Sequence, residues 1–291
     1  MMKKIIFDCD NTMGIEGCDV DDGLALLYLL GKGGIEICGI TTTYGNSDVD
    51  TVYSNTDAIL KEIGRTDIRL LKGCPGKDVL RSEASDFIVE TVKSNRKDIS
   101  ILATGSLTNL YAAYLSDNTV FENVCEIVVM GGITDDLMIN GRILDELNFS
   151  CDPAAAECVL KNGNNLSVIT GNNCLKAFFS KQDFEHRLLA SGKPAAGYIA
   201  QKCKHWFDEM MSAFHLNGFY NWDVVAAAFL ANPALFDNHF QYIAPNLEDL
   251  RKGRLSPAPE DHSRHRVNTP VIRDAERFIE DVYGAWLRLN F

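Results

Sequence analysis

The chain has no Cys-x-x-Cys pair: its nine cysteines stand singly, without the paired framework of a disulfide-stapled domain. A thiolate metal cluster and a small secreted scaffold are therefore poor readings. No apolar run approaches the roughly 20 residues that a helix needs to cross a bilayer; AAAFLA (226–231) is typical. The opening MMKKIIFDCD meets charge after three apolar residues, which does not read as a signal peptide. Positive charge is also scarce, with 28 Lys and Arg against 40 Asp and Glu and a formal charge of −12. Nucleic-acid phosphates and anionic membranes both favour basic surfaces, so neither is expected as a partner. The expectation is a reduced, cytoplasmic protein that acts on a small molecule.

What is present suits one α/β domain over residues 1–291, because 46% hydrophobic composition can fill a large core. Strand-like runs alternate with amphipathic ones. KIIFD precedes DDGLALLYLLG, IEICGITTT precedes SDVDTVYSNTDAILKEIG, and IRLLKG precedes EASDFIVETVKS. ISILAT, EIVVMGG and LSVIT are likewise followed by SLTNLYAAYLSD, DPAAAECVLK and KQDFEHRLLA. Repeated strand-then-helix order predicts a mostly parallel open sheet flanked by helices, since parallel strands need crossover connections. Ligands in such sheets bind beyond the carboxyl ends of the strands. Asp8, Asp10, Asn46, Thr104 and Met130-Gly131-Gly132 all fall on that rim. From about residue 181 the pattern turns helical and is expected to roof the sheet. Residues 246–270 read as an exposed loop, with a short hairpin as the alternative, and their prolines exclude a central strand or helix.

The segment IIFDCDNTMGIEGCDVDDGLALLYLL, residues 5–30, gathers Asp8, Asp10, Asp19, Asp21 and Asp22. Carboxylates packed this closely raise one another's pKa unless a cation or strong donors offset the repulsion, so a bound metal is the economical reading. Its first eight residues resemble the DxDxT motif of haloacid-dehalogenase-type phosphatases. That resemblance implies Asp8 as nucleophile, Asp10 as acid/base and Mg²⁺, with Asp135-Asp136 as a later acidic pair. It leaves Asp21 and Asp22 unexplained.

The whole segment resembles the opening of the inosine-uridine-type nucleoside hydrolases, DxDxGxDDAxAL. Ten residues separate Asp10 from Asp21 where that family usually has three, and Gly14 and Gly17 suit the extra length to a loop. ITTTYGN, ILATGSLTNL, MGG followed by NGRILDELNFSCDPAAA, and NWDVVAAAFLANP are similar to further blocks of the family in the same order. The resemblance spans roughly residues 4–235.

It implies a Rossmann-like nucleoside hydrolase fold and cleavage of the N-glycosidic bond of a ribonucleoside. Ca²⁺, which takes about 6–8 oxygen ligands, would be held by Asp10, Asp22, Asp223 and the Thr104 carbonyl. Asp10 would act as general base on a Ca²⁺-bound water. Asp21, Asn140, Glu146 and Asn148 would bind the ribose and Asn46 would be a further substrate-binding residue, with Asp8 supporting from behind. Homodimers or homotetramers are implied as well. A non-catalytic Ca²⁺- or nucleoside-binding relative is the remaining alternative.

At the base end, one branch of the family has a histidine directly before the late aspartate, and this chain has Trp222 there. None of its six histidines (His186, His205, His215, His239, His262, His265) stands at that place. Trp222 resembles the purine-preferring branch, in which rings stack on the base, so a purine is the leaning. Trp206, His215 and Tyr220 are looser base-pocket candidates, and residues 75–85 and the helices after 195 are expected to decide specificity. Plainer roles compete: Asp21 and Asp223 both precede apolar helices and would serve as caps, and Trp222 could simply be packed.

Overall fold

The computed structural model describes residues 2–260 and 265–291. Its central sheet contains β1 (Lys3–Cys9), β2 (Ile35–Thr42), β3 (Leu70–Lys72), β4 (Ile99–Ala103), β5 (Ile127–Met130) and β6 (Leu166–Ile169). Later segments add β7 (Phe240–Ile243), β8 (Pro257–Ala258) and β9 (His265–Asn268). The strand order is β8-β7-β9-β6-β5-β4-β1-β2-β3. Pairing is parallel from β3 to β9 and antiparallel only at the β9-β7-β8 edge.

Helices cover both faces: α1 (Asp21–Lys32), α2 (Val49–Glu62), α3 (Glu83–Ser94), α4 (Thr108–Ser116), α5 (Pro153–Asn162), α6 (Pro194–Phe214), α7 (Trp222–Ala231) and α8 (Ala275–Trp286). Strand alternation divides the core. Ile5, Phe7 and Cys9 pack with α1, α7 and α8, whereas Ile6 packs with α3, α4 and α5. The helix α1 is buried almost all round because it has neighbours on both sides, and Trp286 Nε1 donates to its Leu24 carbonyl at 3.1 Å. That explains why DDGLALLYLLG is apolar on every face.

The chain runs outward from β1 through β2 to β3, then returns to the other side of β1 with β4. The strand order therefore reverses at β1, and a crevice opens beyond the carboxyl ends of β1 and β4. Asp8 pairs in register with Thr41 on one side and Ala103 on the other. The motif carboxylates thus sit at the switch point.

Two expectations are corrected. The later half is not purely helical: β7, β8 and β9 widen the sheet, and Phe178–Ser180 pairs with Gly218–Tyr220. Strands of two to four residues carry too little periodicity to be read locally, and their partners are distant in sequence. Nor is 246–270 simply a loop. It holds a short helix at Leu247–Leu250, the edge strand β8 and the internal strand β9, while 261–264 lie outside the described residues. Pro257 occupies the edge, where a missing N–H is tolerated, and β9 fits between Pro259 and Pro270.

Candidate active site

A cavity of about 250 Å³ opens at the switch point. Asp19, Asp21, Asn46, Thr104, Glu146, Asn148 and Asp223 line its polar end; Trp206, Met210, Phe214, Tyr220 and Trp222 line the other. Asp10 and Asp22 are wholly buried alongside. Their positions follow from the elements that carry them: Asp10 follows β1, Asp21 and Asp22 start α1, Thr104 follows β4, and Asp223 lies in the first turn of α7.

Asp10 Oδ2 accepts the Asn46 N–H at 2.7 Å, while Asp10 Oδ1 is buried without a hydrogen-bond partner among the described residues. The strand-end loops close tightly around this carboxylate. A Cβ on Gly45 would collide with Asp10 Oδ2, and one on Gly105 would lie 2.9 Å from Oδ1. Asp22 Oδ1 accepts the Thr104 hydroxyl at 2.6 Å, and its Oδ2 is likewise unpartnered. Asp21 Oδ2 accepts the Asp223 N–H at 3.2 Å, so a residue of α1 caps α7. Asp21 does not cap its own helix as expected: the N-cap of α1 is Val20, with no side-chain cap bond, and Asp21 serves α7 instead.

Burial dominates the electrostatics. It pushes the Asp10 carboxyl up to about 6 and that of Asp21 up to about 7. Asp19, Asp22 and Asp223 are raised well above the ordinary carboxylate range, first by burial and then by one another's charges. Asp8 is also raised, to about 7, by burial. It is sealed beneath the cluster, where Oδ1 accepts Thr41 Oγ1 at 2.5 Å and Asn109 Nδ2 at 2.8 Å.

Glu146 and Asn148 are held by the backbone. Glu146 accepts the N–H groups of Gly132 (3.0 Å), Phe149 (2.9 Å) and Ser150 (3.1 Å). Asn148 donates Nδ2 to the Thr104 carbonyl at 2.9 Å and the Met130 carbonyl at 3.0 Å, tying the ends of β4 and β5 to its own short helix.

Three expected residues or segments are not brought to the cavity. Asn140 is exposed at the Asn-Gly turn of a hairpin (Met138–Ile139 with Arg142–Ile143), where its amide donates to the Phe214 carbonyl at 3.0 Å. That left-handed turn (φ 47°) was legible, but the docking of its side chain on α6 was not. His215 is exposed in the left-handed cap of α6, and residues 75–85 do not line the cavity. No histidine lines it among the described residues; His262 lies outside them.

Sequence reasoning left Asp19, Asn109 and the apolar wall of Leu137, Ile139, Leu144, Met210 and Phe214 without assigned roles. Asn109 stands in the quoted SLTNL block and was within reach. The apolar residues look like ordinary core in sequence.

A family model described as inosine-uridine preferring nucleoside hydrolase matches residues 5–280. The chain belongs to this family. A probable uridine nucleosidase 2 of Arabidopsis thaliana is 28% identical over 267 residues, covering 80% of this chain and 79% of the relative. A pyrimidine-specific ribonucleoside hydrolase of Shewanella sp. (strain MR-4) is 25% identical, covering 81% and 80%. Among solved structures, a plant nucleoside hydrolase superposes with a TM-score of 0.86 at 22% identity, covering 98% of each chain. A purine-preferring ribonucleoside hydrolase from Gardnerella vaginalis gives 0.85 at 24%, covering 99% of each. At those identities the superpositions establish the fold.

As a nucleoside hydrolase, the protein hydrolyses the N-glycosidic bond of ribonucleosides. The phosphatase reading fails on geometry as well. Asp8 is tied down beneath the cluster by Thr41 and Asn109, and the exposed Asp136 pairs with Arg254 rather than lining the cavity. Nor is any described helix long and apolar enough to cross a membrane.

Among the described residues, no three His, Cys, Asp or Glu side chains alone form a ready-made cation site. The donor chemistry nevertheless fits a hard cation. Asp10 Oδ1 and Asp22 Oδ2 are buried and unsatisfied, and Asp223 and Thr104 are further oxygen-bearing residues lining the cavity. Such a cation takes carbonyl, water and substrate oxygens as well as carboxylates.

Proposed function

We propose that Asp10, Asp22, Asp223 and the Thr104 carbonyl hold Ca²⁺, and that Asp10 is the general base of ribonucleoside hydrolysis. The observation that carries this reading is the pair of orphaned oxygens, Asp10 Oδ1 and Asp22 Oδ2, buried beside the cavity. When bound, the cation supplies a Lewis acid that gathers sugar hydroxyls and lowers the pKa of an attacking water. The Asn46 N–H anchors the Asp10 carboxylate through Oδ2.

Cleavage develops positive charge on the sugar, and the acidic end of the cavity favours that charge. Asp21 accepts a ribose hydroxyl, and Asn46, Glu146 and Asn148 orient the remaining sugar oxygens. Asn148 directs its amide nitrogen to the Thr104 and Met130 carbonyls, so its Oδ1 is the atom left for a substrate hydroxyl. Asp8 supports the cluster through β1. Trp222, Tyr220 and Trp206 receive the base, and their ring faces favour a purine; Tyr220 and Trp222 lie 5.3 Å apart. Self-association as a dimer or tetramer belongs to the same reading.

The test is ribose release from a panel of purine and pyrimidine nucleosides, with Ca²⁺ and after chelation. Release that stops on chelation and returns with Ca²⁺ supports the assignment. Release indifferent to chelation overturns the cation, and equal rates for all bases overturn the purine preference.

A further inference from the structure

The segment 11–20 is a built part of the site. The Asn55 amide donates to the carbonyls of Asn11 (3.2 Å) and Met13 (3.3 Å), and Met13 is fully buried. Further along, the Cys18 carbonyl meets His205 Nε2 at 3.1 Å, which joins the segment to α6, the helix carrying Trp206. Between these anchors the Thr12 hydroxyl reaches the Asp19 carbonyl at 3.2 Å and Asp19 Oδ1 at 3.3 Å. Asp19 thereby reaches the cavity on a braced support.

There Asp19 Oδ1 accepts the Asn46 Nδ2 amide at 2.9 Å. In that arrangement the amide nitrogen of Asn46 faces Asp19 and its amide oxygen faces elsewhere. The same Asn46 lines the cavity and gives its backbone N–H to Asp10. One residue therefore joins Asp19 to the reacting centre by two separate bonds.

We propose that Asp19 is a positioning residue that acts through Asn46: it locks the amide so that Asn46 Oδ1 is presented as an acceptor to a substrate hydroxyl. The inference rests on the reading of Asn46 as a sugar-binding residue. Without Asp19 the amide is free to turn over and present a donor to a hydroxyl whose proton then lacks its acceptor. Asparagine at position 19 still offers a carbonyl oxygen to the Asn46 amide, so it preserves the lock without the charge.

The test is a double-mutant cycle read by kcat and KM on one hydrolysed ribonucleoside, with folding followed by thermal melting. Asp19→Ala is expected to lower kcat/KM about tenfold, the scale of one hydrogen bond, mainly through KM. Asp19→Asn is expected to restore most of that loss, and Asp19→Ala added to Asn46→Ala to cause no further loss. Should Asp19→Ala fail to fold, Asp19→Ser, too short to reach the amide, takes its place in the cycle. Equal losses from Asp19→Ala with and without Asn46 overturn the proposal, as does an Asp19→Asn variant no better than Asp19→Ala. Full activity in Asn46→Ala overturns the reading of Asn46 itself.

Discussion

The two ends of the cavity are made differently. The acidic end is carried by strand termini and helix starts, and its side chains are held by short bonds such as Asn46 N–H to Asp10 at 2.7 Å and Thr104 to Asp22 at 2.6 Å. The aromatic end is assembled from α6, the Tyr220-Trp222 turn and the residues around the 138–143 hairpin. It is held by packing and by contacts such as Asn140 to the Phe214 carbonyl. Chemistry that depends on developing charge needs fixed groups, because a misplaced dipole loses most of its value. Recognition of a flat base tolerates more movement, since stacking depends on area more than on one distance.

The sharpest way to break this comparison is at Asp10. Asp10→Ala is expected to lower kcat by about 10³-fold or more, in the range of general-base removal, with the fold retained by circular dichroism. An active, folded variant would remove the acidic end from the chemistry.

The next test is the cation. Ca²⁺ at about 100 times its Kd is expected to raise Tm by roughly 5 °C or more. Asp22→Asn and Asp223→Asn should each abolish most of that increase, whereas Trp222→Ala should leave it in place.

Acidity tests the same end in another way. The carboxyls of Asp8, Asp10 and Asp21 are raised from 3.8 to about 7, 6 and 7. Without a cation, the folded chain therefore holds protons that the unfolded chain releases at lower pH. Their contribution to stability is greatest on the acid side and is lost as pH rises from about 4 to about 7. Melting with chelator should show Tm declining over the upper part of that window. Ca²⁺ or Asp10→Asn should flatten the slope.

The aromatic end calls for smaller effects. Trp222→Ala is expected to raise KM about tenfold, the scale of one lost stacking contact, with kcat changed less. The ranking of bases should shift with it. Smallest of all, Asn140→Ala should keep kcat within about twofold, as expected for an exposed side chain that meets the backbone of α6 and not the reacting groups; a large loss would bring the hairpin into the chemistry.

The strand-then-helix order was legible because β1, β2, β4 and β5 and their helices have long, distinct apolar patterns. The rim position of Asp8, Asp10, Asn46 and Thr104 followed from strand polarity alone. Asp223 was found only through the resemblance of NWDVVAAAFLANP, since an aspartate opening an apolar helix reads equally as a cap. Asn140 was misplaced for a related reason: an Asn-Gly pair specifies a turn, but not what its amide will meet.

By itself the sequence determined the parallel sheet, the acidic rim and the absence of an imidazole before Asp223, because each depends on local pattern or residue identity. Tertiary structure alone decided that Asp21 caps α7, that segment 11–20 carries Asp19 to Asn46, and that α6 adds Met210 and Phe214 to the cavity wall. Those pairings join residues far apart in the chain or turn one face of a helix toward a cavity. Local periodicity distinguishes buried from exposed faces, but it does not say whether the buried face meets a core or a substrate.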